Sequence, residues 1–158
     1  MRALLFLLLL VASPALAQEG PSFDCARASA LAEKAICEDD QYGLAIQDRA
    51  LSRLYTALKE QGGQDSVLKR QPAWLRERDR CGGDAGCIAA AQIERLVELA
   101  AAAGDAGVTG SYSYGAGEDT NSGSLWAARE ADGTLTGGIS TVSGPTYHLC
   151  SVEFEQAG

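Results

Sequence analysis

Histidine is scarce in this chain of 158 residues: His148 is the only one. A histidine-based catalytic triad would have to use this residue, which precedes Cys150 by two positions on a predicted strand. The sequence also lacks a glycine-rich phosphate loop, a zinc-binding helix motif and a nucleophile elbow. Adjacent acids at 38–40 and 118–119 lie in predicted loops, where carboxylates are usually solvated. We expect no catalytic residue, no metal site and no cofactor.

Long apolar runs are absent after the first 17 residues, so we expect no membrane-spanning helix. Arg2, the uncharged run Ala3–Ala12 and the sequence Ala15-Leu16-Ala17 have the order of a removable secretory signal. The mature chain is expected to begin at Gln18. Because no cysteine follows the apolar run directly, no lipid anchor is expected. The segment predicts a periplasmic or secreted protein.

Basic residues are outnumbered, with 13 lysines and arginines against 21 aspartates and glutamates. Loss of Arg2 with the signal changes the formal net charge from −8 to −9. Such a charge argues against nucleic acid and anionic lipid as ligands and favours cationic partners. Residues 104–158 contain one basic and seven acidic side chains, so this segment carries most of the net negative charge.

The composition of the chain changes near Gly104. Residues 22–103 are rich in alanine, leucine, arginine and glutamate, whereas residues 104–158 are rich in glycine, serine and threonine. The pattern predicts an α+β protein with a signal at 1–17, a helical domain at 18–103 and a β module at 104–158. We expect the helical domain to be small, antiparallel and stapled by disulfides, and the β module to be a short antiparallel meander.

Helical spacing of apolar residues marks the first half. The residues that repeat at this spacing are Leu44, Leu51, Leu54, Tyr55, Leu58, then Val67, Leu68, Trp74, Leu75, and finally Ile93, Leu96, Val97 and Ala100. Gln61-Gly62-Gly63 ends the first of these segments, and the last begins at about Asp84. A further short helix at about 30–37 is expected to begin with Ser29 as its N-cap and Glu33 in its first turn.

Four strands are predicted in the second half, at 108–114, 124–129, 134–142 and 146–154. Asp132-Gly133 is a strong signal for a two-residue hairpin, and Ser143-Gly144-Pro145 marks another turn. A meander of four strands leaves open edges. Either the helices cover the last edge, or the β module is truncated relative to a longer one.

Five cysteines in an exported protein are interpreted first as disulfides. Cys25 and Cys37 flank the short helix, and Cys81 and Cys87 flank a glycine-rich turn. Pairing in this sequential order would stabilise the fold by roughly 2–3 kcal/mol per link, but four cysteines permit three connectivities. Cys150 is left over as a free thiol, an intermolecular link, or half of a pair whose partner is missing.

Gln71, Trp74, Leu75 and Arg78 fall on one face of a predicted helix. Trp74 and Leu75 would supply buried area, while Arg78 would reach a carboxylate on the short helix or near Asp48. Core packing with a structural ion pair is the first interpretation, and direct contact with a partner is the alternative. A separate stripe, expected to be solvated, consists of Lys69, Arg76 and Arg80.

The pattern over residues 22–100 resembles the LprI-type lysozyme-inhibitor N-terminal domain. The residues that carry the resemblance are Phe23-Asp24-Cys25, Glu33-Lys34-Ala35-Ile36-Cys37, Leu44, Asp48, Leu51, Tyr55, Gln71, Trp74, Leu75, Arg78, Cys81 and Cys87. The resemblance implies a small, exported, disulfide-stapled helical domain of bacterial envelopes, and at least one family namesake is regarded as an inhibitor of lysozyme. Pro72 departs from the pattern and should kink or restart the tryptophan helix.

The resemblance and the net charge together predict an exported, non-enzymatic inhibitor that binds a cationic lysozyme without covalent chemistry. The candidate contact residues are the basic stripe and the 143–147 turn. In this turn, Gly144 and Tyr147 loosely resemble a loop of the membrane-bound inhibitors of C-type lysozyme. The alternative is a non-catalytic periplasmic scaffold or interaction module that binds a protein or a glycan, the glycan through Trp126 with Tyr112 or Tyr114.

Overall fold

A computed structural model describes residues 20–62, 65–105, 107–115, 122–143 and 148–158. The predicted signal at 1–17, the acids at 118–119 and the turn residues 144–147 lie outside these ranges. Within them, no helix combines the length and the apolar character needed to cross a membrane.

The first half of the chain is helical, as predicted. A 3-10 helix at Cys25–Arg27 precedes α1 (Leu31–Glu38), α2 (Leu44–Glu60), α3 (Asp65–Lys69), α4 (Gln71–Asp79) and α5 (Ala85–Ala102). α5 contacts each of the other four α-helices described and is therefore the centre of the helical layer.

Local hydrogen bonds determine where α5 and α1 begin. The Asp84 carboxylate caps α5 by accepting a hydrogen bond from the backbone N–H of Cys87 at 3.0 Å. The predicted Ser29 cap of α1 is wrong, since Ala30 occupies the N-cap position. Instead, the Glu33 carboxylate accepts hydrogen bonds from the backbone N–H groups of Ser29 and Ala30 at 2.8 and 3.0 Å.

These two hydrogen bonds hold the pKa of Glu33 below its ordinary value, because they favour the charged carboxylate. A carboxyl group whose pKa is lowered by folding stabilises the protein above the ordinary pKa. Its contribution is therefore present at neutral pH and is lost as the pH falls through the lowered pKa.

Pro72 restarts the tryptophan helix. α3 ends at Lys69, and α4 begins at Gln71 with Pro72 in its first turn. The missing N–H of a proline removes no intrahelical hydrogen bond at this position. The predicted second helical segment is thus divided, and Val67 lies on a different helix from Trp74.

The second half forms one antiparallel sheet. Its strands are β1 (Gly110–Tyr114), β2 (Ser122–Arg129), β3 (Leu135–Ser143) and β4 (His148–Gln156), paired in the order β1-β2-β3-β4. The meander is the predicted topology. The Asp132-Gly133 turn joins β2 to β3, with Gly133 at φ +91°. β1 and β4 are the edges of the sheet, and neither pairs with a further strand in the described ranges.

One face of the sheet packs on the helices. Trp126 and Ala128 belong to the same buried cluster as Leu54 of α2 and Leu96 of α5. Gly138 of β3 permits this packing, because a Cβ there would lie 2.6 Å from the indole nitrogen of Trp126. The helices and the sheet therefore share a hydrophobic core despite their different compositions.

Two disulfides, Cys25–Cys37 and Cys81–Cys87, join the four predicted cysteines in sequential order. They lie beside a second buried cluster, which consists of Ala32, Ile36, Leu44, Ile88 and Ala89. Cys150 is an exposed free thiol on β4. Its link to another molecule stays a prediction.

An ion pair connects α2 to the sheet. Arg53 donates hydrogen bonds to both carboxylate oxygens of Glu130, which is buried and also accepts one from Thr136 Oγ1 at 2.6 Å. The hydrogen bond to Glu130 raises the pKa of Arg53 above its ordinary value. Glu155 on β4 lies 3.3 Å from the same guanidinium. This network fixes the sheet against the middle of α2.

Replacing Arg53 with methionine is expected to lower the free energy of unfolding by roughly 2–4 kcal/mol, because Glu130 would keep a buried charge without its partner. The value is lower than the roughly 3–5 kcal/mol for fully buried pairs, since the Arg53 side chain is 38% exposed. Urea denaturation measures the change, with the exposed Arg27→Met as the control. A loss below about 1 kcal/mol would show that the pair does not hold the layers together.

Candidate functional site

The tryptophan motif is part of the scaffold. Trp74 and Arg78 are buried, and the Arg78 guanidinium carbon lies 5.6 Å from the centroid of the Trp74 ring. Leu75 is 37% exposed, so its expected burial is wrong. Arg78 lines a small cleft with Glu33 of α1, but its hydrogen bonds go to the adjacent Asp79, with Nη2 at 2.8 Å from Oδ1.

A buried arginine that the sequence pattern did not reveal holds this motif in place. Arg95 of α5 is fully buried and donates hydrogen bonds to Gln71 Oε1 at 2.8 Å, Val67 O at 2.9 Å and Glu98 Oε2 at 2.7 Å. Its guanidinium carbon lies 5.9 Å from the centroid of the Trp74 ring. The available sequence signal is one arginine in an alanine- and leucine-rich helix, with a glutamate three residues later.

The predicted basic stripe extends over more than one helix. Lys69 ends α3, Arg76 lies on α4 and Arg80 follows α4, and all three are exposed. The other half of the predicted contact surface, Gly144 and Tyr147, lies outside the described residues. The stripe is therefore accessible to a partner, and none of its three residues lines the groove described below.

A groove of about 450 Å³ lies between the helical layer and the sheet. The corner between α1 and α2 and one side of α5 form its helical wall. Residues of all four strands form the other wall, and they include Leu125, Ile139 and Val152. Its volume falls in the range of about 300–1,000 Å³ that is typical of ligand sites. The groove is therefore the candidate binding site.

A row of serines crosses the sheet wall of this groove. The cross-strand pairs Ser113–Ser124, Ser124–Ser140 and Ser140–Ser151 contribute one serine from each strand. Directly opposed residues of antiparallel strands share a face, so these side chains lie in one line. Three of them, Ser124, Ser140 and Ser151, line the groove. Their hydroxyl groups can both donate and accept hydrogen bonds.

Two polar groups that belong to groove residues lack partners. Gln47 is 1% exposed, and its Nε2 donates a hydrogen bond to Tyr42 O at 2.9 Å, but its Oε1 accepts none from the described residues. On the opposite wall, the indole N–H of Trp126 donates to no group in the described ranges. Of the two, only Gln47 Oε1 is a fully buried atom, so the cost of about 1–3 kcal/mol for an unpaired buried polar group applies to it alone. These groups favour a ligand that both donates and accepts hydrogen bonds.

Each charged side chain that lines the groove in the described structure is acidic. Asp39 stabilises the start of α2, because its Oδ2 accepts a hydrogen bond from the backbone N–H of Leu44 at 3.0 Å. Asp40 and Glu153 are exposed, and neither side chain pairs with a described residue. Glu153 lies against the corner, where a Cβ on Gly43 would be 2.8 Å from its Oε1. The groove can therefore bind a cationic or hydroxyl-rich group.

The histidine and the acids that were considered for catalysis form no cluster within the described part of the chain. His148 is the first residue of β4, and its side chain lies outside the described set. Among the described residues, no three potential metal ligands lie close enough to hold an ion. The acids at 38–40 lie at the α1–α2 corner, where two of them line the groove.

The predicted glycan platform of Trp126 with Tyr112 is wrong. Trp126 faces the helices, whereas Tyr112 pairs with Leu125 and so lies on the other face of the sheet. The side chain of Tyr114 lies outside the described set. One glycan cannot contact both Trp126 and Tyr112 on a single surface.

Comparison with known proteins found no relative: the chain matches no protein-family model, no curated protein and no solved structure. The resemblance to the LprI-type lysozyme-inhibitor domain stays a prediction that rests on the residues quoted for it.

Proposed function

We propose that this chain is an exported, non-catalytic binding protein that inhibits a cationic lysozyme by accepting basic side chains in the groove. The observation that carries this proposal is the groove itself, where Asp40 and Glu153 are unpaired carboxylates beside a row of serine hydroxyls. A lysine or arginine side chain supplies the donors that these oxygens accept. The resemblance to the lysozyme-inhibitor domain supports the same class of partner.

The net charge of the protein supports the proposal at longer range. An acidic protein attracts a cationic one, and the attraction increases the association rate at low ionic strength. At about 0.15 M salt the Debye length is roughly 8 Å, so only contacts within the groove keep most of their strength. Inhibition follows if the bound basic residues lie beside the lysozyme cleft, because the bound protein then excludes the cell-wall polymer.

The proposal moves the contact surface from the basic stripe to the groove. The stripe would have to meet the carboxylates of the lysozyme cleft, whereas the groove meets the basic surface that lysozymes present more widely. Arg76 and Arg80 are exposed, so the basic stripe is the alternative contact surface for lysozyme on the same protein.

A cell-wall lysis assay with a C-type lysozyme tests the proposal. The wild type, with residue 18 as its first residue, is expected to inhibit saturably, and Asp40→Asn with Glu153→Gln is expected to weaken inhibition roughly tenfold, about 1.4 kcal/mol. Arg76→Glu with Arg80→Glu is expected to leave it unchanged or improve it, because the substitution adds negative charge. Loss of inhibition in the arginine variant alone would assign the stripe instead. No inhibition by folded wild type at large excess would contradict the proposal.

A neutral glycan is the second candidate ligand. The serine row and the unpaired Gln47 Oε1 favour it, because hydroxyl groups of a sugar both donate and accept hydrogen bonds. Binding of a neutral sugar would change little between low and high salt, whereas binding of lysozyme should weaken steeply. Titration with soluble cell-wall oligosaccharides at two salt concentrations separates the two ligands.

A further inference from the structure

The alternation of residues along β4 is the reverse of what a sheet with one solvated face requires. Glu153 and Glu155 are on the side of the helices, where Glu155 approaches Arg53 and Glu153 lines the groove. Val152 and Phe154 alternate with them and so lie on the outer face. An antiparallel sheet covered on one side normally directs apolar residues inward and polar residues outward.

The outer face carries an apolar row that crosses all four strands. The pairs Tyr112–Leu125, Leu125–Ile139 and Ile139–Val152 place these side chains side by side. Tyr112, Ile139 and Val152 are 46, 41 and 61% exposed. Isolated exposed apolar residues are common on soluble proteins, but a contiguous row across a whole sheet marks an interaction surface.

The same face carries no acidic residue on the described strands. Among the residues of β2 and β4 that lie on the outer face, one is charged, Arg129 at a corner of the sheet. The acids of β4 lie on the opposite face. Two copies of a protein with a formal net charge of −8 repel each other in most orientations. This face is where two copies can meet without placing carboxylates against each other.

We propose that the outer face of the sheet binds the outer face of a second copy of this chain, giving a two-fold symmetric dimer with four stacked layers. In such a dimer the two sheets lie about 10 Å apart, and their apolar rows interdigitate. A cationic or strongly charged partner fits the face less well, because the face offers almost no charge to complement it.

The size of the face determines how tight the dimer is. Four strands at about 4.8 Å and six residues at about 3.3 Å give a face of roughly 20 by 20 Å. This is smaller than the roughly 800 Å² that each partner contributes to a standard stable interface. The dimer is therefore weak and concentration-dependent.

Cys150 lies on the outer face, in the row next to Ile139 and Val152. Sheets packed about 10 Å apart keep facing Cα atoms beyond the roughly 4.4–6.8 Å that a disulfide spans. The dimer therefore does not depend on a Cys150–Cys150 bond. Dimerisation should survive Cys150→Ser.

Sedimentation equilibrium from roughly 1 to 300 µM tests the proposal, since this range brackets micromolar dissociation constants. The wild type and Cys150→Ser should change from monomer to dimer with the same midpoint. Ile139→Lys should remain a monomer throughout. Val97→Lys is the matched control, because Val97 on α5 has the same 41% exposure as Ile139 but lies outside the sheet. It should dimerise like the wild type.

Val152→Lys gives a second variant in case Ile139→Lys fails to fold, because Val152 lies on an edge strand and is 61% exposed. Circular dichroism and a cooperative melt establish that each variant is folded. Three results would overturn the proposal: a wild type that stays monomeric at the highest concentration, a folded lysine variant of the face that dimerises normally, or a dimer that disappears in Cys150→Ser. Ile139 and Val152 also border the groove, so lysozyme inhibition is tested separately with Asp40→Asn and Glu153→Gln, whose side chains do not lie on the outer face.

Discussion

Replacing Arg95 with methionine is expected to lower the free energy of unfolding by about 3–5 kcal/mol. This is a large part of the stability of a domain of this size. Methionine fills a similar volume but donates no hydrogen bond. Gln71 Oε1 and Val67 O would then be left without the donors that they have in the wild type. Glu98 would lose its buried partner at 2.7 Å, and the Trp74 ring would lose the guanidinium beside it.

Urea denaturation by circular dichroism measures the Arg95→Met change, and Arg70→Met is the matched control. Arg70 also pairs with Glu98, at 3.2 Å, but its side chain is 52% exposed. An exposed pair of this kind contributes about 0–1 kcal/mol. If Arg95→Met costs no more than Arg70→Met, the buried network is not what holds α3, α4 and α5 together.

Replacing Trp126 with alanine is expected to lower the free energy of unfolding by about 3–5 kcal/mol, the range for removing a buried aromatic side chain. Trp126 is the large residue through which the sheet joins the cluster formed by α2 and α5. Its ring also covers Gly138, so the variant would leave a cavity against the backbone of β3. The loss should appear both in the sheet and in the helices, because they share this core.

Tyr112→Ala is the control for Trp126→Ala, since it removes an aromatic ring from the opposite face of the same sheet. With its ring 46% exposed, Tyr112 should contribute less than about 1 kcal/mol at concentrations where the protein is monomeric. Thermal melts monitored in the far ultraviolet compare the two. Equal losses, or a Trp126→Ala variant in which the helices melt unchanged, would contradict a shared core.

The elements that depend on neighbouring residues could be predicted from the sequence. Asp84 before an apolar repeat predicted the start of α5. Asp132-Gly133 predicted the position of the turn between β2 and β3, but residues 130–134 separate the strands and not two residues. The order of cysteines predicted the two disulfides but not their connectivity, because three pairings satisfy the same spacing. The Ser29 cap was predicted wrongly because α1 begins one residue later, after Ala30, and Glu33 accepts hydrogen bonds from the Ser29 and Ala30 N–H groups.

The site depends on register and on long-range packing, which a single sequence does not determine. β2 reads Leu125, Trp126, Ala127, Ala128, so both alternate sets of positions are apolar and either face could have met the helices. The serine row appears only once the turns set which residues are opposed. Arg95 and Gln71 meet across 24 residues of chain, and no local pattern links them.

The orientation of Trp126 determines which residues line the groove and which lie on the outer face of the sheet. Once Trp126 faces α5, the serines and Glu153 follow it toward the helices, while Ile139 and Val152 point away. The side that faces the helices then carries the serine row and the acids of β4 beside Trp126, and the other side carries the apolar row. The groove carboxylate Glu153 and the apolar row thus lie on opposite faces of the sheet, although Leu125, Ile139 and Val152 also border the groove.

The dissociation constant of a C-type lysozyme, measured by titration calorimetry, tests the central claim most directly. Two variants that remove the same charge are compared: Asp40→Asn with Glu153→Gln in the groove, and Glu60→Gln with Glu77→Gln on the exposed ends of α2 and α4. The account predicts that the groove variant binds roughly tenfold or more weakly and that the distal variant changes by less than about threefold. Equal weakening of both, or no binding by folded wild type, would contradict a lysozyme site in the groove.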